Sequence, residues 1–254
     1  MPSTPENVGV DHVYQLERQC ADAWPTLVDV RLGQWRLRAA GGFTGRANSA
    51  LTTGDPGCPV IDALAEVRTF AEGNGIPPKA HVVIGAPLEP ALAAAGWTVD
   101  EHHPGGAESV VLTGPLPAGP VPHDVTVPDT PPEDWWPLAV GSTEPTPAQR
   151  RVLGGARTTG FATARDADGR VIGIARGAVV GDLLHIARLA VAPHARRRGV
   201  ATGLLAALAE WGARHDTTRC ALQVATHNTA AIALYGRLGC RPHHRYRYWV
   251  PGPS

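Results

Sequence analysis

The sequence predicts an α/β chain of two domains, on the evidence of its length, a proline-rich middle segment and a strand and helix pattern that occurs twice. Its 254 residues correspond to one or two domains of about 150 residues. The middle segment, residues 113–122, contains four prolines and is typical of an extended connector. We therefore expect one domain over residues 1–118 and a second over residues 123–254.

The composition is that of a globular protein without net charge. Hydrophobic residues make up 43 %, and 23 basic residues balance 23 acidic ones. Zero net charge argues against a general binder of nucleic acid or anionic membranes, since both need a standing positive field. The segment Met1–Val10 lacks a signal-peptide pattern, and no apolar run approaches about 18 residues, so we expect a cytoplasmic protein with neither partner.

The cysteines are spread too widely for a metal site. No two of them have the spacing of about two to four residues found in zinc knuckles and redox motifs. We interpret them as small buried hydrophobic residues and expect no metal. They are Cys20, Cys58, Cys220 and Cys240.

The second half is predicted to contain a hairpin followed by alternating helices and strands. Two apolar segments flank Gly181 and Asp182, a typical hairpin turn. In the next segment apolar residues recur every three to four positions, as on one buried helix face. These residues are Val200, Leu204, Leu208 and Trp211. The predicted elements are strands at 171–180 and 183–191, a helix at 199–215, a strand at 220–225, a helix at 229–238 ending at Gly239, and a strand at 245–250.

The first half repeats, with shorter elements, the order of helices and strands predicted for the end of the second half. Aligning residues 88–97 with residues 231–240 places Gly96 on Gly239 and Leu92 on Tyr235. The pattern favours an internal duplication, and the alternative is two unrelated α/β layers. The predicted elements are a strand at 47–53, a helix at 60–71, a strand at 81–84, a helix at 89–95 and a strand at 108–113.

The segment Leu183–Leu205 carries the clearest chemical signal. A predicted strand leads into Arg196–Arg198, and a helix begins at Gly199. A helix N-terminus presents unpaired backbone N–H groups and the positive end of a dipole, which together bind phosphate. Arginines add charge, and glycine leaves room for close approach. The pattern predicts a pyrophosphate-bearing ligand, with a solvated basic patch as the alternative.

Two motifs resemble those of the GNAT superfamily of acyl-CoA-dependent N-acyltransferases. The residues Arg196-x-x-Gly199-x-Ala201 match its Gln/Arg-x-x-Gly-x-Gly/Ala signature. Downstream, Asn228 precedes an apolar helix that carries Tyr235 and ends in Leu-Gly, as in the second signature of the family. The whole chain resembles the tandem-GNAT proteins of actinobacteria. This implies two tandem GNAT-like domains, each a mixed, mostly antiparallel sheet flanked by helices, with a degenerate first half and an active second half.

The resemblance implies how acetyl-CoA, the acyl-donor substrate, is held. The backbone of Leu189, Ala190 and Val191 pairs with the pantetheine arm. Asn228 contacts the CoA arm, and Tyr235 stands beside the sulfur and protonates the leaving thiolate. Backbone amides hold the pyrophosphate; they belong to Arg196, Arg197, Arg198, Gly199, Val200, Ala201 and Thr202.

The implied reaction is direct attack of a primary amine on the thioester in a ternary complex. Backbone N–H groups near Val191 would stabilise the oxyanion. Some family members place a Glu base on the strand before the Asn, but the residue here is Gln223, which cannot accept a proton at neutral pH. His185 and His227 are the candidate bases, with water chains as a further option. A packing or surface role is the alternative for each histidine.

The first half lacks the corresponding features. Residues 54–59 read GDPGCP where the second half has its arginines, and Leu92 replaces the tyrosine. We expect this half to bind no CoA and to serve as a structural partner. Arg46 and Asn48 are candidates to face the acceptor pocket, and the alternative is a plain turn of small and polar residues.

The acceptor is expected to be a small-molecule or peptide amine. Trp135, Trp136 and Glu144 lie in the region that GNAT folds usually devote to it, although aromatic residues there are as often core. An acyl-CoA-binding sensor or scaffold without turnover is the main alternative function. A nucleic-acid binder is a third, which zero net charge disfavours. We expect a monomer or a homodimer.

Overall fold

The computed structural model describes residues 5–122 and 124–253. The chain forms two compact units that are interleaved in sequence. The first unit comprises Met1–Val111, Gln223–Ile232 and Pro242–Ser254, and the second comprises Leu112–Leu222 and Ala233–Arg241. A single cut in the proline-rich segment therefore does not separate them, because two later segments return to the first unit.

The first unit contains a mixed sheet with helices. Its strands follow the order β1-β2-β3-β4-β12-β6. β3 and β4 are parallel, whereas the pairs β1–β2, β2–β3 and β4–β12 are antiparallel, and β5 pairs with β12. The elements are α1 (Pro5–Asp22), β1 (Val28–Leu32), β2 (Trp35–Ala39), β3 (Ala50–Leu51), α2 (Val60–Gly73), β4 (Ala80–Val83), α3 (Glu89–Ala94), β5 (Trp97–Val99), the start of β6 (Glu108–Pro115) and most of β12 (Arg241–Pro251).

The core of the first unit forms between this sheet and α2. Leu64 and Val67 lie on one face of the helix because they are three residues apart, and both belong to the buried cluster that contains Trp35. The Trp35 indole Nε1 donates a hydrogen bond to the Gly54 carbonyl at 2.9 Å. The apolar cluster therefore also fixes the loop that precedes α2.

The strands of the second unit follow the order β7-β8-β9-β10-β11-β6 and are also of mixed direction. β10 and β11 are parallel, and β7, β8, β9 and β10 pair antiparallel in sequence. The elements are the end of β6, β7 (Val125–Thr126), α4 (Trp136–Val140), α5 (Pro147–Gly154), β8 (Thr159–Arg165), β9 (Val171–Val180), β10 (Leu183–Val191), α6 (Val200–Ala213), the start of β11 (Arg219–Ala225) and most of α7 (Thr229–Arg237).

These elements make a mixed α/β fold, and several predictions are confirmed. The hairpin strands have the predicted bounds, and Gly181 in their turn has a φ of 59°. Gly96 and Gly239 follow their helices with φ of 75° and 90°, the left-handed conformation expected of glycine at a helix end. The predicted face of α6 is buried, with Leu204, Leu208 and Trp211 all in the core.

Other predictions are corrected. The strand predicted over residues 47–53 is only β3, because Gly45–Ala47 forms a 3-10 turn. The proline-rich segment begins as strand, since β6 continues to Pro115. The last strand is longer than predicted and starts at Arg241. Within the described residues, no helix is long and apolar enough to cross a membrane.

Candidate active site

The end of β10 departs from regular strand geometry. Its antiparallel register with β9 shifts between Ala187 and Ala190, and Arg188 has a φ of 55°. The parallel register of β10 with β11 covers Leu183–Ile186. A bulge of this kind re-aims the backbone at a strand end, a frequent arrangement beside active sites.

The backbone of Val191 points away from β9. The Ala192 N–H donates to the Ile172 carbonyl on β9 at 2.8 Å, and successive residues of an antiparallel strand direct their backbone groups to opposite sides. The Val191 carbonyl accepts a hydrogen bond from Arg196 Nε at 3.3 Å. The Val191 N–H is therefore directed to the edge of β10 that β9 does not occupy.

An exposed arginine loop connects β10 to α6. Pro193–Ala195 forms a 3-10 turn, and the exposed Arg196–Arg198 follows it, with Arg197 at a φ of 62°. Gly199 precedes the first turn of α6 at a φ of 82°, and no side chain caps that turn. A Cβ atom at Gly199 would meet no atom within 4 Å.

This helix start has the features of an anion site. The Gly199 carbonyl accepts the first intrahelical hydrogen bond from Gly203 at 3.0 Å, so the N–H groups before Gly203 lie ahead of the hydrogen-bonded ladder. The first turn contains no acidic residue. Exposed arginines, free space beside Gly199 and the positive end of the helix dipole all favour a phosphate here.

Two glycines of β9 bring α6 close to the sheet. A Cβ at Gly173 would lie 2.6 Å from Val200 Cγ1, and one at Gly177 would lie 3.0 Å from Leu208 Cδ2. Because glycine has no side chain, the helix packs directly on the strand. This close packing fixes where the N-terminus of α6 lies relative to the end of β10.

Tyr235 lies in α7 of the second unit and is 7 % exposed. Burial raises its pKa to about 12, and the neighbouring thiols of Cys240 and Cys220 add to the shift. These two sulfurs lie 3.7 Å apart and are buried. The Tyr235 hydroxyl is therefore protonated throughout the neutral pH range. Cys20, Cys220 and Cys240 are buried as predicted, whereas Cys58 is half-buried. The proximity of Cys220 and Cys240 was not predicted, because they are 20 positions apart in sequence.

His185 lies deep in the second unit, with 1 % exposure. It precedes Val191 by six positions, which corresponds to about 20 Å along a strand. Its neighbour Leu184 faces α6, where it lies 3.0 Å from a Cβ placed at Gly212, so His185 projects from the other face of the sheet. This burial gives no support to the predicted role of His185 as a base.

Three further predicted residues belong to the first unit. His227 is exposed, and its Nδ1 lies 2.7 Å from a Cβ placed at Gly106. The exposed Asn228 accepts a hydrogen bond from the Ala231 N–H at 3.2 Å. The Gln223 carbonyl accepts one from Arg46 Nη2 at 3.3 Å. The backbone of β10, the arginine loop and Tyr235 thus belong to the second unit, whereas Gln223, His227 and Asn228 belong to the first.

The loop before α2 in the first unit corresponds to the arginine loop of the second unit, but it carries acidic groups instead of arginines. Asp55 accepts a hydrogen bond from the Gly57 N–H at 2.7 Å, and Asp62 lies in the first turn of α2. Both carboxylates would repel a phosphate. Leu92 is fully buried. That no CoA binds here stays a prediction.

The residues expected around the acceptor have structural contacts of their own. Asn48 holds its loop, because its Oδ1 accepts from the Ala40 and Gly42 N–H groups and its Nδ2 donates to the Thr44 carbonyl. The two tryptophans are buried and pack edge to face, with Trp135 also against Phe161 at 5.2 Å between ring centroids. They belong to the core, and Glu144 is exposed.

The first unit contains a polar pocket that the sequence did not predict. It is a small cavity, and it contains a buried carboxylate, two guanidinium groups and an imidazole. The residues come from helices, strands and loops that are far apart in sequence. They are Glu17, Cys20, Ala21, Arg38, Arg46, Leu51, His81 and Gln223. Within the described residues, no three His, Cys, Asp or Glu side chains are placed to hold a metal ion.

The comparisons with known proteins show an acyltransferase of the GNAT type. Residues 11–249 match the family described as "Probable histone acetyltransferase Rv0428c C-terminal", and the chain belongs to that family. It is 27 % identical over 254 residues to the "Uncharacterized N-acetyltransferase YobR" of Bacillus subtilis (strain 168), covering 94 % of this chain and 99 % of that protein.

Two solved structures have a similar fold. A GCN5-related N-acetyltransferase from Kribbella flavida has a TM-score of 0.68 at 18 % identity, over 96 % of each chain. A tandem GNAT protein from the clavulanic acid biosynthesis pathway has a TM-score of 0.62 at 20 % identity, over 96 % of this chain and 88 % of that one. At these identities the likeness concerns the fold.

Proposed function

We propose that the protein transfers the acetyl group of acetyl-CoA to a primary amine by direct attack in a ternary complex. The observation that carries this proposal is the corner where β10 ends and α6 begins. It combines the exposed Arg196–Arg198, a glycine with free space beside it and the uncapped amides of a helix start. These are the requirements of a pyrophosphate site.

In this proposal the donor lies along the end of β10. The edge of Leu189–Val191 pairs with the pantetheine arm, and the amides of residues 196–202 hold the pyrophosphate. The Val191 N–H stabilises the oxyanion, which its orientation away from β9 supports. The resemblance to the family adds Asn228 as a further contact for the CoA arm.

Tyr235 acts on the departing sulfur. The amine forms the new C–N bond, the C–S bond breaks, and negative charge develops on the sulfur. With a pKa of about 12, the hydroxyl is a weaker acid than a thiol, whose pKa is about 8.5. We therefore assign Tyr235 a hydrogen bond to the sulfur as negative charge develops there.

The two units support a tandem origin. In each, three antiparallel strands precede a helix, a strand parallel to the third, and a second helix that is followed by a left-handed glycine. We propose that residues 1–118 and 123–254 are two GNAT-like repeats, with the first degenerate. The acidic groups in the loop before α2 and in its first turn, and the buried Leu92, support that assignment.

We expect one acetyl-CoA to bind per chain, because only the β10–α6 corner offers an uncapped helix start beside exposed arginines among the described residues. Isothermal titration calorimetry on the full chain measures this directly. A stoichiometry near one is expected, and a value near two would overturn the degeneracy of the first repeat.

Release of the CoA thiol over a panel of amines tests the function. The panel contains polyamines, amino acids, aminoglycosides, peptide N-termini and lysine peptides, the last because the family description names a histone acetyltransferase. We expect release with at least one amine, matched by a mass increase of one acetyl group. Tight binding of acetyl-CoA without release to any amine would favour a sensor or scaffold.

A further inference from the structure

The strand β1 forms a free edge of the sheet in the first unit. Among the described residues it pairs with β2 alone, and it stands at the end of the strand order. The residues Val28–Arg31 are all exposed. A strand edge of this kind presents unpaired backbone N–H and C=O groups to which another strand can add.

The backbone groups on this edge belong to Asp29 and Arg31. A two-residue turn joins β1 to β2, so the residues that flank the turn, Leu32 and Trp35, form a hydrogen-bonded pair. Hydrogen-bonded pairs recur at every second residue of an antiparallel ladder, which places Val30 in the next such pair with β2. The N–H and C=O groups of Asp29 and Arg31 are therefore directed away from β2.

One face of β1 extends the apolar core of the first unit to this edge. Leu32 packs against the buried cluster that contains Trp35 and Leu37. Val28 and Val30 lie on the same face as Leu32, because successive side chains of a strand alternate between faces. They are 37 % and 45 % exposed. Two adjoining exposed valines at an open strand edge are typical of a contact surface, whereas single apolar residues on a surface are not.

The opposite face of β1 carries one charge of each sign. The Asp29 carboxylate accepts hydrogen bonds from Nε and Nη2 of Arg36, and its side chain is still 31 % exposed. Arg31 lies directly opposite Arg36 on β2, which is a like-charge pair, and it makes no ion pair with any described residue. A carboxylate placed beyond the edge would therefore stabilise Arg31.

The sequence of β1 is complementary to itself. When two copies of the strand pair antiparallel about a two-fold axis at Val30, Asp29 of each copy lies opposite Arg31 of the other. Val28 then lies opposite Leu32, and Val30 lies opposite Val30. Two-fold registers centred on Asp29 or Arg31 would instead place like charges opposite each other. We propose that β1 pairs with β1 of a second copy in the register centred on Val30, so that the chain forms a homodimer.

The backbone geometry agrees with this register. Asp29 and Arg31 direct their N–H and C=O groups to the free edge, and the register places them opposite each other, so the two copies exchange about four hydrogen bonds. An unrelated strand would have no reason to carry the same charges in reverse order, which favours a second copy as the occupant. The inference is independent of the proposed function, because these residues do not belong to the β10–α6 corner.

The oligomeric state of the full chain tests the proposal. Sedimentation velocity over roughly 1–200 μM should show a reversible monomer–dimer equilibrium, since an interface built on one short strand is small. Arg31→Glu places a carboxylate opposite Asp29 of the other copy and should weaken the dimer by roughly tenfold or more. The matched control, Arg214→Glu, makes the same charge change at an exposed arginine of the second unit and should leave the equilibrium unchanged.

Two results of this experiment would overturn the proposal. A wild-type chain that stays monomeric over the whole range would leave the edge to a strand of another protein. An Arg31→Glu dimer as stable as that of the wild type would place the contact elsewhere. Since Arg31 is exposed and unpaired among the described residues, its replacement spares the fold, which far-UV circular dichroism checks.

A cross-link tests the register itself. Val30→Cys places two thiols at the axis, in a pair whose Cα atoms lie about 4.5 Å apart, within the range of about 4.4–6.8 Å that a disulfide spans. Oxidised glutathione should therefore join two chains, which non-reducing electrophoresis detects as a doubled mass. The wild-type chain, with its half-buried Cys58, sets the background.

The matched control for the cross-link is Val28→Cys. It changes an exposed valine on the same face of β1, but in this register it lies about 14 Å from its counterpart, too far for a disulfide. We expect cross-linking of Val30→Cys and background levels for Val28→Cys. Equal cross-linking of the two variants, or none of Val30→Cys, would overturn the register.

Discussion

Gly199→Asp is expected to weaken the binding of acetyl-CoA by roughly 100-fold or more. The glycine has a φ of 82°, and a Cβ there would project into the free space before α6. The new carboxylate would stand where the pyrophosphate approaches the helix start, at the positive end of the dipole, and would compete with it and repel it. Isothermal titration calorimetry measures the loss.

Gly169→Asp is the matched control for this prediction. Gly169 lies between β8 and β9 with a φ of 79°, and a Cβ there also meets no atom within 4 Å. The backbone strain of the two substitutions is therefore alike, and only their positions differ. Equal losses of affinity in both variants, or retained binding in Gly199→Asp, would contradict the assignment of the pyrophosphate site.

Tyr235→Phe is expected to lower turnover by roughly 100-fold while the affinity for acetyl-CoA persists. The substitution keeps the ring and its packing and removes the hydroxyl that serves the departing sulfur. Steady-state kinetics gives the turnover, and calorimetry gives the affinity. Tyr14→Phe, at a half-buried tyrosine of α1, controls for loss of a hydroxyl in general.

The raised pKa of Tyr235 adds a pH dependence to this prediction. Tyrosine donates its proton only in the neutral form, and burial extends that form up to about pH 12. Turnover limited by this hydroxyl should therefore not decline near pH 10, the ordinary pKa of tyrosine. A decline near pH 10 that Tyr235→Phe removes would mean that the hydroxyl is exposed to solvent during turnover. Undiminished turnover of the variant would overturn its role.

Local chemistry made much of the second unit predictable. Gly181 and Asp182 fix a two-residue hairpin turn, and the spacing of Leu204 and Leu208 fixes the buried face of α6. The arginine loop could be placed because the chain passes directly from β10 to α6. For these features the decisive residues are neighbours in sequence, so the local sequence pattern is sufficient to predict the structure.

Other features depend on partners distant in sequence. The strand β1 is largely exposed and lacks the alternation of a half-buried strand. The Cys220 and Cys240 sulfurs meet only through the fold. His12 and His243 meet across 231 positions of the sequence. Register and tertiary contact decide such pairs, and no local pattern specifies them.

The return of β12 to the first unit has a consequence for synthesis. β12 is the antiparallel neighbour of β4, with Tyr246 opposite Val83, so β4 emerges from the ribosome long before its neighbour exists. The intervening stretch of about 160 residues takes roughly 8–30 s to translate. Loss of β12 from a prematurely terminated chain would therefore affect the N-terminal part of the protein. There the edge of β4 that normally pairs with β12 would stay unpaired and prone to aggregation.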